Sequence, residues 1–277
     1  MRNVDRGVVT VVVLIAVFLI AIVAVYFYSG DPLPPTDVDT DGDKVDPVTT
    51  MDFPTYVINL EKTPQRYEYV SKQLKAMRIS HKRWLATDGR ATFNADLLEL
   101  GIKYKTHKQP ERRGPAGCSA SHIRLWKHLV DIEANWTLVL EDDVHFHPKF
   151  LDLFPTYWNQ IPADAIIIFP GYCFPNGKST TPVCRGSNMC THSYIINARG
   201  AQYLLDNLLP MKWNIDIAIQ EHFRLRTGSY YFNENMLVKS STGEKILPIA
   251  YKHENNDKYM FNGIIYQNRK EFCSTIN

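Results

Sequence analysis

Trp136-Thr-Leu-Val-Leu140, running into Glu141-Asp142-Asp143, is the stretch on which the reading of this chain turns. Apolar and β-branched residues predict a buried strand from Trp136 to Leu140, with three acids at its carboxyl end. Uncompensated carboxylates in that position repel one another and desolvate badly. The pattern therefore has two physical outcomes, a solvated acidic turn or a divalent-cation site. In an extended segment residues two apart share a face, which aims Glu141 and Asp143 at one point and Asp142 the other way. Oxygen-only ligands suit Mn²⁺ or Mg²⁺, whose remaining positions phosphate oxygens fill. His145 and His147 alternate just beyond, as further ligands or as surface residues.

Outward from this strand the chain alternates between strand and helix patterns. Thr55 to Leu60 reads as a buried strand, followed by Thr63-Pro64 and apolar Tyr67, Val70, Leu74 and Met77, the signature of a capped helix with Pro at its first position. Ile79 to Thr87 predicts a second strand ending in the turn signal Asp88-Gly89. Cys118 to Ile132 reads as an amphipathic helix, Ala165 to Phe169 and Ser193 to Ile196 as strands, and Ala198 to Leu208 and Ile215 to Leu225 as helices. The alternation predicts an α/β fold, a mostly parallel sheet flanked by helices.

Before this domain, which begins at residue 53 and runs to 277, the texture differs. Val8 to Tyr28 carries no charge and spans about 31 Å as a helix, enough to cross a hydrocarbon core. A signal peptide has a shorter apolar stretch ending in small residues, whereas this one ends in Tyr26, Phe27 and Tyr28. Arg2 and Arg6 precede the span and no Lys or Arg follows before Lys44, so residues 1–7 are expected in the cytosol and the domain in a lumen or outside the cell. Residues 29–52, rich in Pro, Asp and Thr, read as an extended acidic stem. Asp37, Asp39, Asp41 and Gly42 begin like a calcium loop, but Val48 stands where the bidentate Glu belongs. The formal net charge of +2, from 31 Lys+Arg and 29 Asp+Glu, gives no basis for a nucleic-acid partner.

The five cysteines form no C-x-x-C zinc pair. In a lumen, Cys173 is expected to pair with Cys184 or Cys190 across the weakly apolar Pro175–Pro182 stretch; in a reducing compartment all five stay thiols. Asn135-Trp-Thr137 satisfies the N-glycosylation rule but abuts a core strand, which argues against its use.

Four blocks in order, Tyr56-Val-Ile-Asn-Leu60 with Arg66, Ala86-Thr-Asp-Gly89, Gly117-Cys-Ser-Ala-Ser-His-Ile123 with Trp126, and Leu138-Val-Leu-Glu-Asp-Asp-Val144, resemble glycosyltransferase family 25. That family includes lipooligosaccharide galactosyltransferases and the collagen hydroxylysine galactosyltransferase domain. Ser193-Tyr-Ile-Ile, Gly200-Ala201 and Leu204-Leu205 extend the likeness, which covers roughly Pro54 to Gln220. The resemblance implies a GT-A-like fold, a nucleotide-sugar donor and inversion at the anomeric carbon, with a hexose passing from a UDP-sugar, UDP-galactose first and UDP-glucose second, to a hydroxyl on a glycan or protein. Asn59 and Arg66 would lie near the nucleotide, with Asp88 on its base or ribose and Asp142 on the nucleotide side. Glu141 and Asp143 would correspond to the acidic metal-binding motif. Gly114, Gly117 and Ser119, at a helix start, either offer N–H groups to a phosphate or cap the helix. His122 shares a helix face with Trp126, as a site residue or a satisfied core histidine.

Inversion by single displacement needs a carboxylate to take the acceptor hydroxyl's proton. Asp216, near a helix start, is the first candidate and Glu221 the second; five residues apart on a helix, they do not form a pair. Two rival classes remain, a tethered glycan-binding scaffold that has lost catalysis and a metal-dependent hydrolase. The intact acids argue against the first, and the shortage of further ligands at defined spacing against the second.

Overall fold

Alternate residues of the central strands face two different cores, and this period-two division organises the fold. The computed structural model describes residues 51, 53–103, 113–173, 181–186, 188, 190–224, 226–232, 238–239, 245–246 and 262–267. The expected cytosolic tail, apolar span, acidic stem up to residue 50 with its calcium-loop-like acids, and residues 174–180 lie outside the described residues. Among the described residues no helix is long and apolar enough to cross a membrane.

The strands are β1 (Thr55–Asn59), β2 (Lys82–Leu85), β3 (Thr137–Glu141), β4 (Val144–Phe146), β5 (Ile167–Phe169), β6 (Gly171–Tyr172), β7 (Val183–Arg185), β8 (Ser193–Ile196) and β9 (Ser229–Phe232). Four short ones follow, β10 (Val238–Lys239), β11 (Lys245–Ile246), β12 (Asn262–Gly263) and β13 (Ile265–Gln267). The described helices are α1 (Pro64–Ala76), α2 (Asn94–Glu99), α3 (Arg113–Asp131), α4 (Phe150–Trp158), α5 (Ala198–Leu208) and α6 (Ile215–Phe223).

Seven strands form one sheet in the order β2-β1-β3-β8-β5-β9-β7. From the pairings, β2, β1, β3, β5 and β9 run one way while β8 and β7 run the other. The sheet is thus mostly parallel, as the alternation predicted, with one reversed strand inside it. β8 follows β5 with β6, β7 and their loops as the described structure between them, and a connection without a helical crossover returns a strand antiparallel to its neighbour.

Tyr56, Ile58, Val139, Ile167, Phe169, Tyr194 and Ile196 pack on one face with Trp126 of α3, Leu204 of α5 and Ile219 of α6. Val57, Leu138, Leu140, Ile168 and Ile195 pack on the other with Leu74 of α1 and Phe154 of α4. A sheet covered on both faces explains why these strands read as continuous apolar runs.

Several boundaries differ from the sequence reading. β2 is shorter than Ile79–Thr87, β5 starts at Ile167, and α6 ends at Phe223. α3 begins five residues before Cys118, because Arg113-Gly-Pro-Ala-Gly carries no apolar periodicity to announce it. Pro64 does open α1, but the Thr63 hydroxyl makes no cap; it donates to the Leu60 carbonyl instead (3.2 Å). The Cys173–Cys190 disulfide is present, and among the described cysteines Cys118 and Cys184 are thiols.

Candidate active site

β3 carries the chain to the sheet edge and stops at Glu141, after which Asp142 and Asp143 form a turn into β4. Strict two-residue alternation therefore ends at Glu141, and the expectation that Asp142 faces away from Asp143 does not hold. The Arg66 guanidinium of α1 reaches both, at 2.5 Å to Asp142 and 3.5 Å to Asp143. Asn59, at the end of β1, donates to Asp142 at 2.6 Å, and Gln267 of β13 donates to Asp143 at 3.1 Å. Arg66 and Asn59 are both buried, so their positions serve the acids directly.

Glu141 has partners of its own. Its Oε1 accepts from Thr191 at 2.8 Å and lies 3.3 Å from Nε2 of His122. Burial raises the Glu141 pKa, but the hydrogen bonds from His122 and Thr191 oppose it, and the carboxyl is held below its usual value. Asp143 behaves oppositely: burial first, then the neighbouring Glu141 charge, push it up to about 7, and Arg66 offsets only part of this. Asp142 is raised as well, by burial, against the pull of Arg66 and Asn59. The turn thus concentrates negative charge that Arg66 alone does not neutralise. Asp143 Oδ1 is sealed from solvent and has no hydrogen-bond partner. A buried carboxylate oxygen in that state costs free energy unless a cation or donor meets it, so the donor set fits a hard divalent cation.

His122 is fully buried and hydrogen-bonded on both ring nitrogens, the second to the Tyr194 hydroxyl at 2.8 Å. The His122 ring, the Cys118 sulfur and a Glu141 oxygen each offer a ligand atom within 4.8 Å of the others. Burial followed by the charges of Glu141, Asp216 and Asp143 raises the Cys118 thiol well above its usual value, which disfavours the thiolate a soft-metal site needs. His145 and His147 are not simple surface residues. His145 pairs with the Tyr69 hydroxyl at 2.8 Å, and His147 is buried, its Nδ1 accepting from the Lys149 N–H.

Two cavities meet at this turn. One, about 750 Å³, is lined by Asn59, Lys62, Arg66, Asp88, Gly114 and Asp142 among others; the second, about 600 Å³, by Asn214, Asp216, Thr191 and Gln267 among others. Glu141 and Cys118 line both. Asp88 lies in the first with Lys62 at 2.5 Å, and that bond outweighs its burial to lower its pKa. Asp216, in the first turn of α6, lies in the second; burial raises its pKa, the Ile217 N–H opposes, and Glu141 raises it further.

The remaining predicted residues sit elsewhere. Glu221 is more than half exposed, pairs with Arg224 one turn on, and lines neither cavity. Ser119 is buried within α3 and lines neither cavity. Gly117 is a packing glycine: a Cβ there would lie 2.4 Å from the Gly89 nitrogen and 2.5 Å from the Thr87 carbonyl oxygen, so its bareness lets the Asp88 turn rest on α3. Sequence reasoning missed Thr191, Tyr194 and Gln267. Tyr194 stood in a predicted strand with no role of its own, and Gln267 has no local signal at all, because only the β13–β4 pairing brings it to Asp143.

Residues 52–219 match the family described as glycosyltransferase family 25 (LPS biosynthesis protein). A glycosyltransferase 25 family member of Aedes aegypti is 27% identical over 220 residues, which cover 71% of this chain and 36% of that protein. Procollagen galactosyltransferase 2 of Homo sapiens is 26% identical over 71% of this chain and 35% of its own length, and that of Mus musculus 33% identical over the same shares. The chain belongs to glycosyltransferase family 25. It spans about a third of the length of these curated relatives.

Proposed function

We propose that the protein is an inverting, metal-dependent glycosyltransferase that moves a hexose, galactose in the first instance, from a UDP-sugar to a hydroxyl of a glycan or protein. The observation that carries the reading is the junction of the two cavities at Glu141, which allows donor and acceptor to meet at one acidic point. The nucleotide occupies the first cavity, with its diphosphate towards Lys62 and Arg66. Glu141 and Asp143 hold Mn²⁺ or Mg²⁺, which when bound supplies Lewis-acid stabilisation of charge on the departing diphosphate. The acceptor enters the second cavity and presents its hydroxyl to Asp216. As the acceptor oxygen bonds to the anomeric carbon, the bond from that carbon to the phosphate oxygen breaks, its electron pair leaves with UDP, and the proton passes to the Asp216 carboxylate. Burial raises Asp216, which makes the carboxylate a stronger base. The apolar Val8–Tyr28 span and the preceding arginines support a single-pass anchor with this domain in a lumen, or outside the cell.

The test is release of free nucleotide from a panel of nucleotide sugars by the full-length chain, with and without Mn²⁺ and a panel of hydroxyl acceptors. Release that needs Mn²⁺ and rises with acceptor supports the reading; a chain that binds donor without turning it over is a binding protein. Intact domain after protease treatment of sealed microsomes supports the topology, and digestion without detergent overturns it.

A further inference from the structure

Four side chains from three elements form one directed hydrogen-bond chain that ends on Glu141. Trp126 Nε1 lies 2.9 Å from the Tyr194 hydroxyl, that hydroxyl 2.8 Å from His122 Nδ1, and His122 Nε2 3.3 Å from Glu141 Oε1. Trp126, Tyr194 and His122 are each fully buried, so no solvent competes for these groups. With His122 as the neutral imidazole, their chemistry leaves one arrangement of protons. An indole N–H only donates, so Tyr194 accepts from Trp126 and has its own hydrogen to give. An ionised carboxylate only accepts, so the proton of the neutral imidazole stands on Nε2. Nδ1 is then an acceptor, and it receives the Tyr194 hydrogen.

We propose that Tyr194 is a positioning residue for Glu141, acting through His122: by bonding Nδ1 it orients the ring so that Nε2–H holds Oε1 from behind and the other carboxylate oxygen is left for the cation. This rests on the reading of Glu141 as a metal ligand given above. Thr191, next in sequence to Cys190 of the Cys173–Cys190 disulfide, gives Oε1 a second donor. Groups that orient a ligand in this way are worth 10- to 100-fold in metal affinity when lost, in order of magnitude. A residue that merely fills the core changes folding stability and leaves the Nε2–H hydrogen bond and the metal affinity alone.

The experiment uses the full-length chain and the variants Tyr194→Phe, His122→Gln and His122→Leu, with urea unfolding to establish that each is folded. Histidine nitrogen NMR of the metal-free protein is expected to show His122 as the Nε2–H tautomer in the parent, and a weakened Nε2–H hydrogen bond to Glu141 in Tyr194→Phe. Mn²⁺ titration is expected to show affinity about 10- to 100-fold lower for Tyr194→Phe and His122→Leu. His122→Gln keeps an N–H towards Glu141 and is expected to recover most of that loss. An Nδ1–H tautomer in the parent overturns the inference, as does a folded Tyr194→Phe with parental Mn²⁺ affinity. A parent that binds no Mn²⁺ overturns the reading of Glu141 as a ligand, whereas the tautomer in the metal-free protein tests the hydrogen-bond chain by itself.

Discussion

Replacing Arg66 by Met removes the cation that the structure places between two buried carboxylates while keeping most of the side chain's volume. Arg66 and Asp142 are each 8% exposed and Asp143 is 1% exposed. Breaking a buried pair by removing one partner costs about 3–5 kcal/mol, because the remaining charge is left uncompensated. Here Asp142 and Asp143 both lose their cationic partner and keep only the neutral Asn59 and Gln267 donors, which places the loss at the upper end when they are ionised. The pH dependence follows from the direction of their shifts. Asp143 titrates at about 7 in the fold against 3.8 unfolded, and Asp142 is also raised, so the folded state holds protons that the unfolded state has released. Stability of the metal-free protein therefore falls as pH rises from about 4 to 7, and the need for Arg66 grows over the same window. Urea unfolding of parent and Arg66→Met at pH 5 and pH 8 measures this. The expected loss is about 3–5 kcal/mol at pH 8 and clearly smaller at pH 5, where Asp143 carries its proton. An equal loss at both pH values would refute the electrostatic account and leave only a packing role for Arg66.

Three further outcomes are expected. Gly117→Ala should destabilise by about 1–3 kcal/mol in denaturant unfolding, since its Cβ meets backbone atoms that no rotamer change can move; a parental midpoint would mean that the Asp88 turn gives way easily. Asp216→Asn should lower turnover about 10²- to 10⁴-fold with donor affinity nearly unchanged, whereas Glu221→Ala, on the exposed side of α6, should keep both. Normal turnover in Asp216→Asn would place the base elsewhere. Peptide mapping of native protein under non-reducing conditions should find Cys173 linked to Cys190, and a Cys173–Cys184 link would contradict the placement of Thr191 described here.

The sheet was legible because its strands are covered on both faces: Val57, Val139, Ile168 and Ile195 needed an apolar side chain as much as their neighbours did, and the runs stood out. The reversal of β8 was not, since strand direction depends on the path of the connection and leaves no periodic trace. Within the site, Glu141, Asp142 and Asp143 announced themselves by breaking a core pattern, as did Asp88 by its turn chemistry. Their partners did not. Arg66 read as a nucleotide contact, and only the packing of α1 beside β1 and β4 reveals that it lies against the acids. Thr191, Tyr194 and Gln267 are ordinary residues locally, and their meaning comes from what the fold sets opposite them.

Calorimetric titration of Mn²⁺ and then UDP-galactose into the full-length chain and its Asp143→Ala variant asks whether the acidic turn is a cation site serving a nucleotide-sugar donor. The parent is expected to bind the cation with release of about half a proton near pH 7, where Asp143 is about half protonated and must ionise fully, and to bind donor more tightly once the cation is present. Asp143→Ala is expected to weaken both together, with donor binding partly restored by higher Mn²⁺ through Glu141. A variant that binds Mn²⁺ and donor as the parent does, with the same proton release, would make the turn a closed structural knot of buried charge and would contradict the account.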